Sequence, residues 1–141
     1  MFNNSIAALL GKRIAFPLHL DDRNQLAMVD GDMAIRQSLF LIIMTVPGER
    51  VVRPTFGCRI HELIFDPINE QTAITAKRYV YESICCWEPR IEVIDIAVSL
   101  GASDRRALVI TITYRHKFSP ATRDLALPYS LNSAGSTKWN E

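Results

Sequence analysis

Residues 48–65 read GERVVRPTFGCRIHELIF. Arg50, Arg53 and Arg59 stand there with Glu49, two glycines (Gly48 and Gly57) and Pro54. A guanidinium stays charged and presents a planar fork of donors, so each must meet a carboxylate, a carbonyl, a phosphate or water. Such a cluster can bind an anion, serve an active site or clamp protein elements together. The apolar residues that follow, Ile60, Leu63, Ile64 and Phe65, are expected to be buried. A second element of the same type, Glu88-Pro89-Arg90, lies further along the chain.

Enzymatic readings find little to build on. Glycoside hydrolysis needs two carboxylates across a cleft, one of them holding a proton. Glu49, Glu62, Asp66 and Glu88 are candidates, but Glu49 and Glu88 sit beside arginines, which favour the charged form. Pairing with arginine is the reading those neighbours support. Cys58 and His61 have the spacing of one helical face, yet no third group orients them, and a small side chain packed at a glycine turn fits Cys58 better. The same pair is only half of a zinc ligand set, and no second spaced pair follows. No catalytic residue, cofactor or metal is expected.

The elements that must position these residues can be read from pattern. The chain has 141 residues, 48% hydrophobic, enough for one domain with its own core. A net charge of +1 argues against general nucleic-acid binding, although Arg105, Arg106, Arg115, His116, Lys117 and Arg123 gather late in the sequence. The longest apolar run, LFLIIM at 39–44, is too short to span a bilayer. No secretory signal pattern is read at the N-terminus. Three cysteines, two of them adjacent, do not make a disulfide framework and suit a reducing cytoplasm.

A short helix is predicted over 5–10, then an extended segment and a turn with Asp21 and Asp22 solvated. A long helix over 31–45 follows, capped by Asp30 or Asp32, apolar on more than one face, and ended by Pro47 and Gly48. IHELIF makes a turn and a half of helix, and Asn69 caps a second long helix over 70–86. Ala73, Ala76, Val80 and Ile84 form its apolar stripe, with Lys77 and Arg78 facing away. Pro89 stops it. From Arg90 the period becomes two: a strand with a bulge between Val93 and Ile94, a hairpin loop at GASDRR, and a strand presenting Leu108, Ile110, Ile112 and Tyr114 on one face. A last strand through Leu125, Leu127 and Tyr129 is pushed to the sheet edge by Pro128. The fold class is α+β: two main helices on a small, mostly antiparallel sheet of three to four strands, one domain over 1–131, with a flexible tail at 132–141.

With the enzymatic and nucleic-acid readings set aside, two Glu/Arg elements stiffened by prolines favour a protein–protein interface. The motifs then acquire a family. AFPL at 15–18, IRQSLFLIIMTVPGERVVRPTFGCRIHELIFDP at 35–67, WEPRIEV at 87–93 and LPYSL at 127–131 resemble the baseplate wedge family of contractile-tailed phages, in the family's order. That family includes TssE of type VI secretion and the matching subunit of extracellular contractile injection systems. The resemblance runs over roughly residues 11–131, and the GER-x-x-RP-x-FG block with a downstream EPR is a specific combination. Val52 and Thr55 depart from the commonest residues without altering the expected fold.

The resemblance implies a non-enzymatic wedge subunit, six copies per baseplate, tying other wedge proteins to the first ring of contractile sheath. It implies a wedge-core interface made by Glu88, Pro89 and Arg90 with Gly48, Glu49, Arg50, Arg53, Pro54 and Gly57. It also implies that the sheet accepts strands from sheath subunits, with Arg115, Lys117 and Arg123 flanking the docking surface. Assembly in the bacterial cytoplasm, residence in a phage or particle baseplate, and no nucleic-acid partner or membrane insertion go with it. Some relatives carry a lysozyme description; a peptidoglycan-hydrolysing tail enzyme is the alternative, and the carboxylates above give it no support.

Overall fold

The computed structural model describes residues 12–14, 20, 22–25, 28–101 and 107–130. The helix expected over 5–10, the segment at 15–19, the loop at 102–106 and the tail at 132–141 lie outside the described residues. Strand β1 (Lys12–Ile14) pairs antiparallel with β2 (Met28–Asp30) in a two-stranded sheet that periodicity did not predict. Three residues are too few for an alternation to register.

Helix α1 (Gly31–Met44) starts directly after β2. Its buried positions, Ala34, Ile35, Ser38, Leu39, Phe40, Ile42 and Ile43, take up a broad face, as its apolar spread required. Next comes a 3-10 helix, Arg59–Phe65, in place of the expected α-helical turn and a half. Its three-residue period brings Ile60 and Leu63 to one inward line. Phe65, two positions beyond Leu63, falls on the outward side and is 95% exposed, which corrects the expectation that it is buried.

Helix α2 (Glu70–Trp87) begins where predicted: the Asn69 side chain accepts the Thr72 N–H at 2.9 Å. Ala76, Val80 and Ile84 are fully buried, Ala73 partly so. The helix ends at Glu88, whose N–H donates to the Ile84 carbonyl while Pro89 forces the chain out of helix.

Three antiparallel strands then complete the domain in the order β3 (Ile91–Leu100), β4 (Ala107–His116), β5 (Thr122–Ser130). Register slips between Val93 and Asp95, the bulge that the switch of apolar faces had indicated. Along β4 burial alternates strictly, with Leu108, Ile110, Ile112 and Tyr114 inward. Pro128 lies on β5, an outer strand, where its missing N–H costs no central ladder bond. One continuous core joins α1, the 3-10 helix, α2 and the inner face of the sheet. The architecture is α+β, two helices on a three-stranded antiparallel sheet.

Candidate interface site

The turn after α1 is fixed from within. Thr45 continues the helical ladder through its N–H to Leu41 and accepts the Cys58 N–H on its own carbonyl, both at 3.0 Å. Gly48 donates to the Pro54 carbonyl at 2.6 Å, and Phe56 to that of Arg53 at 3.0 Å. Gly57 closes the turn with φ +129°, and a Cβ there would stand 2.3 Å from the Thr45 carbonyl oxygen, so only glycine fits. The Glu49 carboxylate turns back to accept the Val46 N–H at 3.1 Å; it caps the turn rather than pairing with an arginine.

Arg50 lies over the Phe56 ring, 4.4 Å from its centroid, and Arg53 over Trp87 at 6.0 Å. Phe56 and Trp87 meet edge to face at 5.2 Å. Among the described residues no carboxylate pairs with either guanidinium, whereas Arg59 makes two bonds to Glu62 and stacks on Tyr79. That pairing, above a small opposing effect of burial, holds the Glu62 carboxyl below its usual range. Beside the turn lies a shallow groove of about 490 Å³ whose walls include Pro47, Pro54, Cys86 and Trp87.

The second element closes on itself. Arg90 donates to both oxygens of Glu88, through Nε at 2.5 Å and Nη2 at 2.7 Å. The Glu88 side chain is fully buried and that of Arg90 is partly buried, 18% exposed, while Pro89 stays exposed. The Arg90 carbonyl also accepts the Lys117 N–H at 3.1 Å, which ties this corner to the end of β4. A bidentate guanidinium–carboxylate pair out of water is among the stronger polar contacts a protein makes. Trp87, next in line, carries the contact back to the turn. Trp87 and Phe56 belong to the WEPRIEV and RP-x-FG stretches but were not named as site residues; adjacency to a Glu/Arg element was the available signal.

A third polar cluster had escaped notice altogether. Asp32 accepts from Arg36 Nε at 3.0 Å and from the Tyr114 hydroxyl at 2.9 Å. His116 Nε2 stands 3.1 Å away and Arg123 Nε 3.4 Å. Burial raises the Asp32 carboxyl, but the hydrogen bonds from Tyr114, His116 and Arg36 and the charge of Arg123 outweigh it, so the net shift is downward. Burial and the Asp32 charge drive Tyr114 well above the usual phenol range. Asp32 thus joins α1 to β4 and β5 rather than capping its helix. Its spacing to Arg36 was legible as a helical ion pair; Tyr114 and His116, more than eighty residues on, gave no local signal.

Of the residues placed near a sheath contact, Arg115 pairs with Glu92 across β3 and β4, Arg123 faces Asp32, and Lys117 is exposed. Cys58 is completely buried, and desolvation pushes its thiol up. That is the opposite of what a nucleophile needs.

Exposed guanidinium groups stacked on aromatic rings and a groove beside Trp87 make this turn the candidate interface. Residues 29–121 match the model of the family described as baseplate wedge protein gp25, and the chain belongs to that family. Baseplate wedge protein gp25 of Enterobacteria phage T4 is 31% identical over 84 residues, 60% of this chain and 63% of that protein's length. A solved Geobacter sulfurreducens protein, proposed to be a tail lysozyme, is 36% identical with a TM-score of 0.69, covering 76% of this chain and 98% of that one. A chain of the anti-feeding prophage baseplate is 25% identical with a TM-score of 0.67, over 92% and 93% of the two chains.

Proposed function

We propose that this chain is a structural, non-enzymatic wedge subunit of a contractile injection machine, a phage tail or an extracellular particle. It joins the wedge scaffold to the first sheath ring and helps start sheath assembly, in six copies per baseplate. The observation that carries the reading is the match of residues 29–121 to the baseplate wedge family. A hydrolase must expose a protonated carboxyl to its polymer. Here Glu88 is sealed under two guanidinium bonds, Glu62 is paired and Glu49 caps a turn. The likeness to a proposed tail lysozyme makes hydrolysis the competing reading, and this use of the carboxylates favours the structural one.

The wedge contact uses the turn of Gly48, Glu49, Arg50, Arg53, Pro54 and Gly57 with the Glu88-Pro89-Arg90 corner. Sheath arms add to an outer strand of the β3-β4-β5 sheet through backbone bonds, with Arg115, Lys117 and Arg123 flanking the site. Residues 1–131 act as one domain, and the protein assembles in the bacterial cytoplasm before residing in the baseplate.

A producer strain lacking the gene tests this directly. Complementation with the wild type should restore sheathed particles in electron micrographs. The double variant Arg115→Glu, Lys117→Glu should give baseplates with naked tubes. Full-length sheathed particles from the double variant would refute the charged sheath contact. Peptidoglycan clearing by the purified wild type, abolished in Glu49→Gln or Glu88→Gln, would restore the enzyme reading.

A further inference from the structure

At the outermost point of the turn, Val51 and Val52 are 96% and 93% exposed. Single exposed apolar residues are ordinary, but these two are adjacent and β-branched, on a turn pinned at both ends by backbone bonds. Arg50 and Arg53 bracket them, each laid on a ring, and among the described residues neither has a carboxylate partner. The carboxylates nearest in the site are otherwise engaged: Glu49 with the Val46 N–H, Glu62 with Arg59, Glu88 with Arg90. The result is an apolar tip between two cations stacked on rings, on the same turn whose Gly48 and Pro54 line the groove beside Trp87.

We infer that this tip, Arg50 to Arg53, receives an acidic segment of another baseplate protein, one whose carboxylates straddle an apolar side chain. The inference rests on the wedge reading and adds the chemistry of the partner. Two guanidinium forks suit carboxylates in geometry and charge, and stacking on Phe56 and Trp87 has already restricted the arginine rotamers, which lowers the cost of ordering them. The valines supply the apolar contact that excludes water around those bonds. A nucleic-acid phosphate would satisfy the arginines but leave both valines against solvent or charge. The apolar tip decides for protein.

The test places the photoreactive residue p-benzoylphenylalanine at Val52 in particles assembled by the otherwise native chain. Irradiation should crosslink it to a different baseplate subunit, at a peptide with two or more Asp or Glu within roughly one helical turn of the linked residue. Adding Arg50→Glu and Arg53→Glu should cut the crosslink about tenfold, because like charges then face each other. Lysines in place of the partner's acidic residues should restore it. Crosslinks confined to this chain, or to a basic or uncharged segment or nucleic acid, overturn the inference while leaving the wedge reading standing. A chain absent from the particles overturns the wedge reading and the inference together.

Discussion

The turn at 48–57 and the corner at 88–90 are built from the same residue types, glutamate and arginine beside proline, yet they end in opposite states. At the corner the carboxylate lies two residues before the guanidinium, on the far side of a helix-to-strand break, so the fork folds back and seals the carboxylate from solvent. At the turn Glu49 is spent on a backbone amide, and Arg50 and Arg53 settle on aromatic faces and stay exposed. The first arrangement is a fastener and the second an exposed tip. The residue types are shared; the difference is where each carboxylate finds its first hydrogen bond.

Breaking the corner should have the largest effect. Arg90→Ala leaves a buried carboxylate without its fork, which typically costs about 3–5 kcal/mol. A melting temperature lower by roughly 10 °C is expected. Replacing both Glu88 and Arg90 with methionine should recover most of that loss, since a buried pair exchanged for apolar residues is often neutral. If Arg90→Ala melts like the wild type, the corner is not a fastener.

Next comes the glycine that holds the turn. Gly57→Ala drives a methyl into the Thr45 carbonyl at a positive φ, for about 3 kcal/mol. Gly48→Ala, at φ +95° with open space around it, should cost only about 1 kcal/mol. Equal destabilisation of the two variants would show that backbone strain, not the close approach, sets the demand for glycine.

A smaller effect separates the corner from the Asp32 cluster. The Asp32 carboxyl is held below its reference value of 3.8 in the folded state. A depressed carboxyl contributes stability that is fully present above that reference and is lost as pH falls through the folded value. Asp32→Asn should therefore cost about 1–2 kcal/mol at neutral pH and flatten the loss of stability below about pH 4. Tyr114→Phe should show part of both effects. An acid limb unchanged in Asp32→Asn would assign it to Glu62 and Asp95, which are depressed by their own partners Arg59 and Lys77.

Periodicity made the helices, the three-strand sheet and its bulge legible, because each is long enough for apolar positions to repeat. Phe65 was misplaced because its segment is a 3-10 helix, whose faces advance by three residues and not by 3.6. The Glu/Arg motifs announced a site but not its two states. Whether Glu49 bonds an arginine or the Val46 amide depends on a turn of a few residues, which carries no period. The Asp32 cluster is assembled from α1, β4 and β5, and contacts of that sequence separation leave no local trace.

The difference between fastener and exposed tip is tested most directly by measuring melting temperature and baseplate incorporation together for Arg50→Ala, Arg53→Ala in one chain. Loss of two exposed stacking contacts should cost about 1–2 kcal/mol, so the purified variant should melt within a few degrees of the wild type. Its incorporation into baseplates should nevertheless collapse, because the donors that face the partner are gone. A variant that melts as low as Arg90→Ala, or one that enters baseplates at the wild-type level, would contradict the account.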